Sequence, residues 1–178
     1  MRRVAVVGNS GSGKTTVGRA LAGKLRAPFV ELDAIFHQPG WTPLPEPEFR
    51  HRVSDIVAGE SWVIDGNYRA VRDLIWARAD TVVWFDLPRH AVMRQVVTRT
   101  LRRVVTQAEL WNGNREPVGN LFRLSRNESI IAWAWTQHEK YRRRYREAAA
   151  DPAYQNLRFV RIGSRRDANR LAAEPDPS

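Results

Sequence analysis

The sequence has no cysteine among its 178 residues, which excludes disulfides and thiolate metal sites. It has no apolar run approaching the ~18 residues of a membrane span, so no membrane association is expected. Its four histidines, His37, His51, His90 and His138, share no spacing, and no histidine metal site is expected. It has no internal repeat and no low-complexity linker. An apolar strand begins almost at once, so no signal peptide is expected and the chain reads as cytoplasmic. Acidic residues are scarce as well, with 19 Asp and Glu against 29 Lys and Arg, a net charge of +10. The imbalance is local: between Arg89 and Arg146 there are 12 Arg and 1 Lys against 4 Glu, and the remainder is close to balance. A positive field confined to one region fits a phosphate-rich ligand or a nucleic-acid surface.

What is present is ordinary in amount and pointed in arrangement. Hydrophobic residues make up 43% and charged residues 27%, which suits one domain spanning 1–178 with a sizeable core. The apolar run Val4-Ala5-Val6-Val7 leads straight into Gly8-Asn9-Ser10-Gly11-Ser12-Gly13-Lys14-Thr15-Thr16. Gly8 to Thr15 matches G-x-x-x-x-G-K-[ST], a phosphate-binding loop, with the required strand before it and a helical pattern after it. The glycines let successive backbone N–H groups turn towards an anion. Lys14 supplies a positive charge for β- and γ-phosphates, and Thr15 a hydroxyl for Mg²⁺. The positive end of the following helix dipole falls at the same place.

Further strands are expected at 28–33, 61–65, 81–86 and 157–162. Helices are expected at 14–26, 48–58, 68–76, 89–105, 129–149 and 165–173. A Pro- and Trp-bearing loop runs from Phe36 to Pro47, and 108–127 reads as irregular. Strands alternating with helices imply a three-layer α/β/α fold around a parallel sheet, whose ligands collect at the carboxyl ends of the strands. Gly8, Asp33, Asp65, Asp86 and Gly163 all fall at expected strand ends.

Asp65 follows Trp62-Val63-Ile64 and is the expected second magnesium element opposite Thr15; Asp86, after Val82-Val83-Trp84-Phe85, competes for that role or caps the next helix. Asp33 either takes the proton from an acceptor hydroxyl or caps a turn. Arg69 either clamps an anionic acceptor group or lies solvated on a helix face. Phe36 and Trp41, flanking Gly40, are placed to stack on an acceptor ring, whereas Trp62, Trp84 and Trp133 suit the core. Arg99 and Arg103 share a helix face and read as the base of a short lid at roughly 105–128, closing over the γ-phosphate. Of Arg142, Arg143, Arg144 and Arg146, one or two are expected to meet nucleotide phosphates.

The phosphate loop, Ile64-Asp65-Gly66-Asn67-Tyr68-Arg69 and Val83-Trp84-Phe85-Asp86-Leu87-Pro88 resemble the adenylate-kinase-like branch of small nucleotide and metabolite kinases. Asp65, Gly66 and Arg69 match the segment that places an acid near magnesium and an arginine on the acceptor; Asn67 and Tyr68 depart from it. Leu32-Asp33 through Pro39-Gly40-Trp41, Asp65 to Tyr68, and Leu110-Trp111-x-Gly113-Asn114-x-Glu116 look more closely like proteins labelled DNA-topology-modulation or adenylate-kinase-related. That resemblance implies a five-stranded sheet in the order 2-3-1-4-5 and a nucleotide base near Gly163 and Ser164. The expected function is transfer of the γ-phosphate of ATP, with Mg²⁺, to an unidentified small acceptor, with Lys14, Asp33, Arg99 and Arg103 at the chemistry. The alternative is a nucleic-acid-associated NTPase or regulator using the basic 89–146 surface. A third is a slowly hydrolysing nucleotide switch. No Asn-Lys-x-Asp element reads guanine, and nothing speaks to the oligomeric state.

Overall fold

A computed structural model describes residues 1–106, 109–115 and 130–173. Its frame is a five-stranded parallel sheet formed by β1 (Arg3–Gly8), β2 (Phe29–Glu31), β5 (Trp62–Asp65), β6 (Thr81–Phe85) and β7 (Arg158–Ile162), in the order β2-β5-β1-β6-β7. With these five strands numbered by themselves along the chain, that is 2-3-1-4-5. A two-stranded antiparallel hairpin, β3 (His37–Gln38) and β4 (Thr42–Pro43), stands apart from the sheet.

β1 is the central strand, paired with β5 on one edge and β6 on the other, and both of its faces are covered, as its unbroken apolar run requires. Alternate residues point to opposite faces. Val4 and Val6 meet one helical layer, with Val63, Val83, Phe85 and Ile162; Val17 and Leu21 of α1 (Lys14–Leu25) and Leu171 of α7 (Arg165–Ala173) close over them. Ala5 and Val7 meet the other layer, with Ile64, Val82 and Trp84. There the cover is Phe49 and Val53 of α3 (Glu46–Val57), Ile75 and Trp76 of α4 (Arg72–Arg78), and Tyr141 and Tyr145 of α6 (Ile130–Ala150). Trp62 and Trp84 are core residues, as expected. Each fully buried Val, Leu, Ile or Phe contributes about 1.5–3 kcal/mol.

α5 (Arg89–Thr106) packs along α6 and over the phosphate loop, with Leu87, Val92 and Val96 forming a small cluster of their own. The loop lies so close to α5 that a Cβ on Gly11 would collide with Val96 Cγ2, and Gly11 also has a positive φ of 74°. Glycine is therefore required at this position for space as well as conformation.

The expected second strand, 28–33, is shorter than its sequence suggests. β2 pairs with β5 only from Phe29 to Glu31, and Leu32 then turns into the core and opens a short helix, α2 (Leu32–Phe36). Asp33 accordingly sits in the first turn of α2 and does not end a strand. The helix expected at 68–76 divides into a 3-10 turn at Arg69–Val71 and α4, and α3 starts two residues early with Pro47 in its first turn.

Candidate functional site

The carboxyl ends of β1, β5 and β6 form one edge, and parallel register brings Gly8 beside Phe85 and Val6 beside Asp65. Above this edge the phosphate loop is organised by Asn9. Its carbonyl accepts from the Ser12 hydroxyl at 2.8 Å and from Lys14 Nζ at 2.9 Å, and its Oδ1 accepts from Ser10 N at 2.9 Å. Asn67, just past β5, holds the start of the loop: Gly8 N donates to Asn67 Oδ1 at 2.9 Å, and Asn67 Nδ2 donates back to the Gly8 carbonyl. Tyr145 of α6 donates to the same Oδ1 at 3.0 Å.

Gly13 stands before the first turn of α1, Thr15 lies within that turn, and Thr16 points to solvent. The Thr15 hydroxyl donates to Asp65 Oδ2 at 2.7 Å. Asp65 is buried, and burial pushes its carboxyl above the ordinary carboxylate range against the opposing pull of Lys14 and the Thr15 hydrogen bond. Burial draws the Lys14 ammonium below the usual lysine value, opposed by the carboxylates of Asp65 and Asp33. From α5, Arg99 donates to the Ser10 hydroxyl at 2.8 Å, and Arg103 follows one turn later, half-buried. Lys14, Thr15, Asp33, Asp65 and Arg99 are thus brought together.

Beside them, Asp33 Oδ1 accepts from the Tyr68 hydroxyl at 2.6 Å, and His37 Nε2 lies 3.3 Å from that hydroxyl. Burial, reinforced by the Asp33 charge, pushes the Tyr68 phenol far above its ordinary value, so it remains a donor. Trp41 meets the edge of His37 at a ring distance of 5.2 Å. Gly66 packs over Leu32, and its N–H donates to the Val6 carbonyl at 3.2 Å.

Other expected residues fall elsewhere. Phe36 is half-buried at the margin of the core, packed against Phe49, Tyr68 and His37 at ring distances of 5.3, 4.7 and 5.2 Å. Arg69 is exposed on its 3-10 turn. Asp86 is neither a helix cap nor placed opposite Thr15. Its buried carboxylate accepts from Arg161 Nε at 2.7 Å and pairs with Arg142 at 3.0 Å, tying β6 to β7 and α6. Arg143 pairs with Glu147, and Arg144 lies over the Tyr141 ring. Arg142 thus ties α6 to the sheet edge, while Arg143 and Arg144 make contacts along their own helix, the side chains projecting in several directions around α6. The amides of Gly163 and Ser164 donate to the Asp167 carboxylate at 3.0 and 2.8 Å, so α7 caps its own first turn. A cavity of about 440 Å³ opens beside Gly163, bordered by Asp86, Arg89, His138 and Arg142.

Much of the expected lid at 105–128, with Glu116, lies outside the described residues; 105–106 end α5, and 109–115 lies against the α2–β4 turn. Trp133 is within α6, and its side chain lies outside the description as well. Among the described residues no helix is long and apolar enough to cross a membrane, and no group of His, Cys, Asp and Glu gathers at a metal site of its own. The sequence by itself assigns no role to Asn67, Tyr68, His37 and Asn114. They act through single side-chain amides, hydroxyls and rings, and residues 31 to 73 positions apart must first meet.

Strand order, phosphate loop and the Thr15–Asp65 pair define a P-loop kinase fold, and comparison with known proteins agrees. The structure resembles a shikimate kinase from Acinetobacter baumannii in complex with shikimate (TM-score 0.55, 19% identity, 97% of this chain and 89% of that one). It also resembles a gluconokinase from Sinorhizobium meliloti 1021 (TM-score 0.51, 19% identity, 97% and 91%). The shikimate kinase family model matches residues 10–46. A shikimate kinase from Cereibacter sphaeroides is 30% identical over 145 residues, 66% of this chain and 69% of that one. One from Nitrobacter winogradskyi is 29% identical over 123 residues, 61% of this chain and 58% of the relative's length. The chain belongs to the shikimate kinase family. These matches support the kinase part of the sequence resemblance and not the DNA-topology-modulation label.

Proposed function

We propose that this chain transfers the γ-phosphate of ATP to a hydroxyl of a small acceptor, with shikimate the first acceptor to test. The observation that carries the reading is the 2.7 Å hydrogen bond between Thr15 and Asp65 beneath a phosphate loop held by Asn9 and Asn67. A threonine hydroxyl beside a carboxylate is a hard-oxygen set that fits Mg²⁺, and a buried carboxylate with a raised pKa is suited to gaining a cation. Thr15 and Asp65 would hold the ion, which when bound neutralises charge between the β- and γ-phosphate oxygens.

The chain's own residues have separable tasks in this reading. The amides of Gly8 to Thr16 and the α1 dipole cradle the polyphosphate. Lys14 exchanges its contact with the Asn9 carbonyl for phosphate oxygens. Arg99, already on Ser10, and Arg103 add positive charge where it develops during transfer. Asp33 accepts the acceptor's hydroxyl proton on the oxygen not bonded to Tyr68, while Tyr68 fixes its rotamer. Asp65 and Gly66 border the same space, and Trp41 walls its far side. The nucleotide base is assigned to the Gly163–Ser164 side. A nucleic-acid partner for the basic surface gains no support from the relatives, and Arg142, Arg143 and Arg144 are engaged within the fold.

The test is ADP release with Mg²⁺ and ATP in the presence of shikimate, gluconate or nucleosides. Acceptor-dependent release with a phosphorylated product is expected. Phosphate release that no acceptor accelerates would sink the transferase reading and leave a slow hydrolase.

A further inference from the structure

Trp111-Asn112-Gly113-Asn114 stands out in the sequence, and phosphate chemistry does not use it. In the structure it is a tight loop closed by Leu110 N on the Asn114 carbonyl at 2.6 Å. It is hydrogen-bonded to the α2–β4 turn across more than 70 positions of sequence. Asn112 Nδ2 donates to the carbonyls of Ala34 at 3.0 Å and His37 at 2.5 Å. Asn114 Nδ2 donates to the Gln38 carbonyl at 3.0 Å, and its Oδ1 accepts from Trp41 N at 2.9 Å. The Trp111 indole donates to Glu31 at 2.9 Å, and the Trp41 indole to the Arg115 carbonyl at 3.1 Å.

Asn114 is buried, at 4% exposure, with both donor and acceptor sides of its amide satisfied. Such a group specifies one geometry, because any shift of the turn leaves a buried polar atom unpaired. The geometry it holds is an uncommon one. Trp41 has φ +59°, a left-handed conformation that a bulky side chain rarely takes and that persists only where its surroundings over-determine it. The turn so held carries Asp33 and His37, and His37 lies between Trp41 and Trp111, with ring distances of 5.2 and 6.2 Å.

We propose that Asn114 is a positioning residue of the acceptor site: it locks Trp41 and the α2–β4 turn so that the Trp41 and Trp111 rings form a fixed wall beside Asp33, and thereby sets acceptor affinity without touching the nucleotide. This rests on the acceptor role proposed above for the Asp33 side. The segment between α5 and α6 therefore serves acceptor selection through its 109–115 loop.

The test compares wild type with Asn114→Ala, using shikimate as acceptor, Mg²⁺ with a non-hydrolysable ATP analogue for nucleotide affinity, and ¹⁹F spectra of 5-fluorotryptophan protein with Trp41 assigned by Trp41→Phe. The shikimate KM should rise at least tenfold, analogue affinity should stay within about twofold, and the Trp41 resonance should move. Parallel loss of nucleotide and acceptor affinity, or an unmoved Trp41 resonance, overturns the proposal. Should Asn114→Ala fail to fold, Asn114→Asp carries the same comparison, since it retains an acceptor for Trp41 N–H and loses the donors to Gln38 and Trp111. If wild type does not phosphorylate shikimate, the acceptor reading above fails on its own, and the Trp41 resonance and analogue affinity decide this proposal.

Discussion

The Thr15 hydroxyl and the Asp65 carboxylate lie 2.7 Å apart, joining the first turn of α1 to the end of β5 across 50 positions of sequence. Asp65→Asn keeps an oxygen for Thr15 and removes the charge. The Mg²⁺ requirement should shift upward at least tenfold in a metal titration of ADP release, while secondary structure is unchanged.

The same carboxyl gives a pH dependence of known sign. Its folded pKa is raised, so ionised Asp65 disfavours the fold, and the stability it contributes is fully present at acid pH and lost as pH rises through its folded value. Asp65→Asn should therefore melt no lower than wild type at neutral pH without Mg²⁺, and the difference should shrink on acidification. A clearly lower melting temperature at neutral pH would contradict burial as the dominant cause.

Lys14→Ala removes the charge that the phosphates require. Among the described residues its ammonium donates to the loop's own Asn9 carbonyl and faces the charges of Asp65, Asp33 and Arg99, so the fold should survive. Nucleotide turnover should fall by about 10²–10³-fold, the usual scale for one preorganised electrostatic group. Full turnover with unchanged circular dichroism would remove Lys14 from the site.

Asp86→Ala leaves Arg142 and Arg161 without their shared buried carboxylate. Both arginines retain some access to water, so the cost should be about 1–3 kcal/mol, read by urea denaturation. The Mg²⁺ requirement of ADP release should change little, in contrast to Asp65→Asn.

Asp80 accepts from the N–H groups of Arg2 and Arg3, both at 2.8 Å, and from the Thr81 hydroxyl at 2.8 Å. Burial works against its ionisation, but these bonds prevail and hold its carboxyl below the ordinary range. Its stabilisation is present above the unfolded carboxylate value and lost as pH falls through the lower folded one. Asp80→Ala should cost about 1 kcal/mol at neutral pH, and denaturation curves of variant and wild type should begin to converge only as pH falls below ~4.

Asn67 illustrates why part of the site was hidden in the sequence. Gly66-Asn67 reads as a strand break, which is local and true, yet the amide's partner is the peptide of Gly8, and only the β1–β5 register brings the two together. Asp86 shows the opposite case. Its position at a strand end was plain, but its partners, Arg142 on α6 and Arg161 on β7, depend on how two distant elements pack.

Sequence alone determined the phosphate loop, the alternation of strand and helix, and the acids that follow the strands, because each is a local pattern of residue type and period. Tertiary structure alone decided which acid meets Thr15, that Phe36 packs on Phe49 and Tyr68 while Trp41 meets the edge of His37, and that Trp111 to Asn114 lean on the α2–β4 turn. Those outcomes are set by strand register and helix packing, where residues far apart in sequence compete for the same space and the same hydrogen-bond partners.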